Sequence, residues 1–194
     1  AMVTAIGTGE TTEEKEAVVE VTVTIGSQTM GPMACKVTVS PSDPAGVTIS
    51  PATVEVAPGK TATLQVTVSP TTAPQEVTWA TLDPNIASLS SDKLTTVVTG
   101  LNAGKTQITA ESATQVAYAT VVVQGIVLKD SAITLFEGEN YTLGYEIFGD
   151  QLGSNVEWTS SDTNVVAVSN GYLMPKKEGE STITAKVVGS TYTA

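Results

Sequence analysis

Two pairs of oxygen-bearing side chains recur with the same spacing, Asp83 with Asn85 and Asp162 with Asn164. Alternate carboxylate and amide oxygens are the beginning of a calcium loop, which takes about six to eight hard oxygen ligands. Neither segment supplies the denser run of carboxylates that such a loop needs. Asp and Asn beside a turn ordinarily hydrogen-bond their own backbone, so the turn is the expectation and no metal ligand is assigned. Glu10, Glu13, Glu14 and Glu16 form an acidic cluster. It is read as a solvated loop that keeps the surface soluble rather than as a cation site.

Catalytic chemistry finds little to work with. The chain contains no histidine, the side chain that most often moves protons near neutral pH and most often binds transition metals. Ser and Thr therefore have no His to activate them, and no Gly-rich phosphate cradle runs from a strand into a helix. A pair of carboxylates could hydrolyse a glycoside, but the acidic residues are scattered over loops. No catalytic residue and no cofactor are assigned, and the chain is read as not an enzyme. Tyr118, Tyr141, Tyr145, Tyr172 and Tyr192 could include a sugar-stacking pair, although most are expected in the core or on strand faces. Asn140-Tyr141-Thr142 fits a glycosylation sequon, with its Asn at a turn that favours Asn anyway.

Charge narrows the partners. Nine lysines, no arginine and 20 acidic residues give a formal charge of −11 over 194 residues. No cationic footprint exists to neutralise phosphates or hold an anionic membrane, so nucleic acid is excluded as a partner. The single cysteine, Cys35, allows no intrachain disulfide and reads as a small apolar core residue. No apolar run approaches the roughly 20 residues of a membrane span, and no secretion signal opens the sequence. Ala1-Met2 has the look of a cloning remnant or an internal start.

These residues are positioned by a repeat. Gly46 to Ser90 aligns without a gap on Gly125 to Ser169, at a constant offset of 125 − 46 = 79 residues. Gly59 then falls on Gly138, Leu64 on Leu143 and Trp79 on Trp158. After Ser169 the offset drops to 179 − 104 = 75, because Gly104 matches Gly179. The loss lies between Ser169 and Leu173, where a hairpin tolerates deletion. A period this long, with one Trp per unit, is the size of a small domain rather than of a solenoid repeat.

Within the first full unit, Leu64, Val66 and Val68 alternate with Gln65 and Thr67, the period of a half-buried strand. Val and Thr dominate, and Pro51, Pro58-Gly59, Pro70, Pro74, Asp83-Pro84 and Gly104 punctuate them. Strands are predicted at Val47–Ile49, Thr53–Val56, Thr61–Val68, Val77–Ala80, Ile86–Leu89, Leu94–Thr99, Lys105–Glu111 and Ala117–Val123. Eight short strands without a helical period indicate an all-β sandwich. The third unit repeats the pattern through Ile126, Leu128, Ile133, Leu135, then Leu143, Tyr145 and Ile147, then Val156 and Trp158. Near the start, Val3 to Gly9 matches Val98 to Gly104, and Ala34-Cys35-Lys36-Val37-Thr38-Val39 reads like Tyr118 to Val123.

Three domains are therefore expected. Residues 1–45 are a partial unit with late strands and the acidic insertion, 46–124 a complete unit, and 125–194 a unit lacking the end of its last strand. The whole looks like a window cut from a longer array. A sandwich short of its last strand invites strand addition from another chain, with Ala34, Cys35, Lys36, Val37, Thr38 and Val39 as the exchanging segment.

The residues resemble the bacterial immunoglobulin-like domains of group 2. The resemblance is carried by Ile49-Ser50-Pro51, Val56-Ala57-Pro58-Gly59 with Leu64, Val77-Thr78-Trp79, Asp83 to Leu89, Val98-Thr99-Gly100 and Ala103 to Ala110. Glu137-Gly138, Glu157 to Asp162, Val165 to Val168 and Glu178 to Ala185 repeat it. It implies tandem Ig-like sandwiches without disulfides, whose core residues are Trp79, Trp158, Leu64, Leu143, Ile108 and Ile183. It further implies non-catalytic, extracellular modules of a bacterial surface or adhesion protein of the intimin and invasin kind, acting as a stalk or an adhesive surface. Alternatives are a virion decoration protein binding host glycans, a carbohydrate-binding accessory of a secreted enzyme, and a fibre subunit assembled by strand exchange. The partners implied are a protein or a cell-surface glycan, neighbouring modules of the same chain, and further copies through strand addition.

Without a covalent tie between the sheets, the indole on the third strand must help to hold them together. Replacing Trp79 or Trp158 with Ala is expected to cost about 3–5 kcal/mol in a denaturant melt. A loss below about 1 kcal/mol would show that the indole is not central to the core.

Overall fold

The computed structural model describes residues 15–25, 27–39, 43–150 and 152–194, and the described residues contain strands and turns but no helix. Val3 to Gly9 and Glu10, Glu13 and Glu14 lie outside them. At the amino-terminal end β1 (Lys15–Ile25) and β2 (Gln28–Val39) pair as an antiparallel hairpin. Residues 34–39 sit on this hairpin, with Ala34 opposite Glu20 and Val39 opposite Lys15.

The next strands are β3 (Gly46–Ser50), β4 (Thr53–Val56), β5 (Thr61–Ser69), β6 (Thr78–Thr81) and β7 (Ala87–Asp92). They are followed by β8 (Thr95–Gly100), β9 (Gly104–Ser112) and β10 (Gln115–Val123). One sheet has the order β3-β5-β8-β7, the other β4-β10-β9-β6. All pairings are antiparallel except β4 with β10, which run parallel from Thr53 opposite Thr120 to Val56 opposite Val123. This is the two-sheet arrangement of an Ig-like sandwich, with β6 as its third-strand position.

Period-two alternation explains the core between these sheets. Leu64, Val66 and Val68 on β5 are buried while Gln65 and Thr67 are exposed. Val98 on β8 buries alongside them in the same sheet, and opposite them lie Ile108, Ala110 and Val121 of the other sheet, all fully buried. Each large apolar side chain removed from water in this way contributes about 1.5–3 kcal/mol. Trp79 is half-buried and packs against this cluster from β6.

The carboxy-terminal strands are β11 (Gly125–Leu128), β12 (Tyr141–Thr142), β13 (Tyr145–Phe148), β14 (Val156–Ser160), β15 (Val166–Ser169), β16 (Tyr172–Pro175) and β17 (Ile183–Val187). They follow the same plan in a broken form. The sheet that is continuous in residues 46–100 is here divided into β11-β13 and β12-β16-β15, with β14-β17 facing them. Gly144 stands where the repeat has Gln65, and a Cβ there would come within 2.8 Å of Lys129 Cδ. A glycine inside a strand weakens it and marks a close approach, which accounts for the split between β12 and β13. Tyr145, expected to follow Val66 inward, is 38% exposed, whereas Leu143 is buried and Ile147 half-buried. No strand forms over residues 132–135. In the first sandwich the corresponding strand, β4, pairs with Thr120–Val123.

The four-residue deletion shortens a hairpin symmetrically. In the first sandwich Asp92 faces Thr95 around a loop of Lys93 and Leu94. In the second, Ser169 faces Tyr172 around Asn170-Gly171, whose φ values of 49° and 79° fit a tight two-residue turn.

Close packing leaves Gly100 no room for a side chain. Its Cβ would lie 2.9 Å from Val56 Cγ2 and 3.1 Å from the Ala57 carbonyl oxygen. Gly100→Ala should therefore cost about 1–3 kcal/mol, read by Trp79 fluorescence in a denaturant melt of a Trp158→Phe background. An unchanged midpoint would contradict the packing described for this corner.

Candidate functional site

β10 ends at Val123 and β11 begins at Gly125, so a single residue, Gln124, joins the two sandwiches. Its backbone N–H donates to the Val56 carbonyl at 2.9 Å. Its side chain is held from both directions: Gln124 Nε2 donates to Glu55 Oε1 at 2.7 Å, and Gln124 Oε1 accepts from the Tyr192 hydroxyl at 2.8 Å. The second Glu55 oxygen accepts from the Asp150 backbone N–H at 3.3 Å. One amide and one carboxylate thus tie the end of β4 to two separate loops of the following strands.

Backbone conformation makes this crossing possible. Gly125 has a φ of 152°, and a Cβ there would stand 2.5 Å from Ala103 Cβ. Gly149 has a φ of 121°, and its Cβ would meet Glu55 Oε1 at 2.7 Å. Both values favour glycine, and any side chain would also push the two sandwiches apart. Glu55, Gln124 and Tyr192 are each half-buried, where a hydrogen bond is less exposed to competing water.

The Asp-Asn pairs form turns. Asp83 Oδ1 accepts from the Asn85 N–H and Asp162 Oδ1 from the Asn164 N–H, both at 2.9 Å. Each aspartate N–H in turn receives a side-chain hydroxyl as acceptor, Thr106 Oγ1 at 3.0 Å and Ser181 Oγ at 3.1 Å. Among the described residues no group of three or more His, Cys, Asp or Glu side chains converges as a metal site would require.

Of the expected core residues, Leu64 and Ile108 are fully buried and Leu143 is buried. Trp158 is half-buried against Ile126, Ala185 and Val187, and Ile183 is half-buried on β17. The tyrosines are dispersed. Tyr118 and Tyr172 are exposed on strands, Tyr192 serves the junction, and Tyr145 stacks edge-on against Trp158 with ring centroids 5.6 Å apart. Asn140 of the sequon is exposed, just before β12. The sequence marks the junction only as the boundary between residues 124 and 125. Glu55 and Tyr192 have no local motif.

Comparison with known families covers the first sandwich and its immediate lead-in. Residues 44–123 match the bacterial Ig-like domain (group 2). The Ig-like module so defined ends at the residue before the Gln124 junction. No curated protein matches the chain. Solved structures similar to it include domains 4 and 5 of the S-layer protein SbsC, at 25% identity over 56% of this chain and 65% of that one, with a TM-score of 0.39. Domains 5-6 of the same S-layer protein are 24% identical over 75% of this chain and 90% of that one, with a TM-score of 0.36. Invasin, a bacterial integrin-binding protein, is 18% identical over 94% of this chain and 50% of its own, with a TM-score of 0.33. The chain thus spans less than two thirds of the SbsC domain 4 and 5 structure and half of the invasin one.

A titration marks the carboxy-terminal sandwich. The Tyr141 hydroxyl donates to Asp130 Oδ2 at 2.9 Å, and this bond and the negative charge of Asp130 raise the phenol above its ordinary pKa. The neutral phenol is the form favoured by folding. Its stabilising contribution is therefore complete below the unfolded pKa, about 10, and is lost as pH rises through the folded value. In an ultraviolet titration of the five tyrosines, Asp130→Asn should remove a late-titrating component. Superimposable curves for the two proteins would contradict the pairing.

Proposed function

We propose that the chain is a run of Ig-like modules in a bacterial cell-surface or adhesion protein, without catalytic activity, serving as a semi-rigid spacer that holds a binding region away from its anchor. The modules are assigned to residues 1–45, 46–124 and 125–194, and the location is extracellular.

The observation that carries this reading is the one-residue connection at Gln124, clamped to Glu55 on one side and Tyr192 on the other. A flexible linker would let two modules sample many orientations, its reach growing with length. A single residue whose backbone and side chain are both engaged removes that freedom and leaves bending to the breakage of specific hydrogen bonds. Such a joint transmits force and keeps spacing, which is what a stalk requires. The acidic surface, at −11 formal charge, adds solubility and self-repulsion between neighbouring stalks.

Small-angle scattering of the 194-residue chain tests it. The expected profile fits one fixed arrangement of the 46–124 and 125–194 modules. Inserting a short Gly-Ser segment after Gln124 should broaden the distance distribution, and Glu55→Ala combined with Tyr192→Phe should broaden it less. If the unaltered chain already scatters as the inserted one does, the joint is not semi-rigid and the spacer reading fails.

A further inference from the structure

The repeat places an equivalent cleft at the same end of each sandwich, and the two clefts differ in chemistry. In the first, of about 530 Å³, Glu76, Lys93 and Glu111 bring charge to the lining. The longer β7–β8 hairpin closes over the neighbouring indole: the Lys93 carbonyl accepts from Trp79 Nε1 at 2.9 Å, and the Leu94 carbonyl accepts from the Val66 N–H at 2.9 Å. Val66 beneath it is 5% exposed.

Shortening the hairpin removes that cover from the second sandwich. The turn now ends at Asn170-Gly171, and a Cβ on Gly171 would lie 3.1 Å from Trp158 Cζ2, so the turn backbone rests against the six-membered ring. Among the described residues the Trp158 Nε1 N–H meets no acceptor. Tyr145, 38% exposed, occupies the place of Val66 and meets Trp158 edge to face at an interplanar angle of 71°. The result is an open cleft of about 390 Å³ lined by Tyr145, Ser154, Asn155, Val156, Trp158 and Asn170, without a charged side chain.

We propose that this cleft binds a neutral saccharide. The inference goes beyond the spacer reading and does not rest on it. Aromatic side chains offer the flat apolar faces that sugar C–H groups cover, together with polar handles in the tyrosine hydroxyl and the indole N–H. The amides of Asn155 and Asn170 each bring donors and an acceptor, and the Ser154 hydroxyl can act as either. Sugar hydroxyls are themselves donor and acceptor at once, so they satisfy both halves of each amide. A proline-rich peptide also docks on aromatic grooves, but it presents chiefly carbonyl acceptors and would leave the amide oxygens unpaired. The lack of a charged lining residue selects against anionic sugars, and so does the net charge of the chain. The volume suits one or two sugar rings in a shallow, weak site.

The two tryptophans give a direct readout, since each contributes one indole N–H signal to a nitrogen–proton correlation spectrum. Neutral oligosaccharides of glucose, galactose, mannose and N-acetylglucosamine would be titrated to millimolar concentration into the full chain, with a proline-rich peptide in parallel. The expected result is that at least one saccharide shifts the Trp158 signal and leaves that of Trp79 in place. Tyr145→Val, which restores the residue of the first sandwich, should weaken binding about tenfold or more. Asn170→Gly removes the amide while keeping the positive φ, and should weaken it comparably, so the test survives if the tyrosine variant fails to fold. The proposal is overturned if no saccharide moves the Trp158 signal, if both indoles shift alike, or if the peptide moves it where the sugars do not.

Discussion

Two sheets must stay face to face here with no disulfide between them, and apolar packing across a gap of about 10 Å is the main force that opposes their separation. In the first sandwich the gap is filled by Leu64, Val98, Ile108 and Val121, with Trp79 closing one flank. The indole is too large to vanish into so small a core and carries a donor that needs an acceptor. The β7–β8 hairpin solves both problems, covering Trp79 and presenting the Lys93 carbonyl to its N–H. Packing and polar satisfaction are thus one arrangement at this flank, so the length of a single hairpin governs how completely the sandwich is sealed.

The second sandwich shows what happens when that length changes. The buried cluster around Ile126, Ala185 and Val187 is smaller, and Leu128, Ile147, Val156 and Trp158 are only partly withdrawn from water. Gly144 interrupts the strand that is continuous in its counterpart, and the sheet divides there. Stability is correspondingly uneven along the chain, the first module being the better sealed. The Glu55–Gln124–Tyr192 relay and the Asp150 N–H draw the second module onto the end of the first.

How much of this could be read from residues alone depended on whether the signal was local. The eight strands of residues 46–123 were all placed, because alternation of Val and Leu with Thr and Gln is strong and Pro and Gly mark the turns. The strand read at Ile86–Leu89 runs from Ala87 to Asp92, since Ser90, Ser91 and Asp92 extend it with no apolar period to betray them. The second copy departs from the first where residues 132–135 form no strand and where Tyr145, in the place of Val66, is 38% exposed on β13. The joint was legible as a boundary between residues 124 and 125 and not as a clamp. Glu55 and Tyr192 lie 69 and 68 residues from Gln124, and nothing in a carboxylate or a phenol announces a partner so distant.

Repetition is what makes the divergence interpretable. Two copies of one plan hold the fold constant, so each difference between them can be traced to a named substitution or deletion. Lost hairpin length alone would leave an exposed indole, an aggregation liability on an otherwise acidic surface. Its loss coincides with Tyr145 in place of Val66, and with Asn155 in place of the charged Glu76. Those exchanges turn an apolar defect into a flank with amphipathic rings and neutral hydrogen-bonding groups. A spacer module needs only its core and its two ends. A flank that is uncovered, aromatic and stripped of charge in one copy, and covered and charged in the other, is the mark of a surface differentiated for contact.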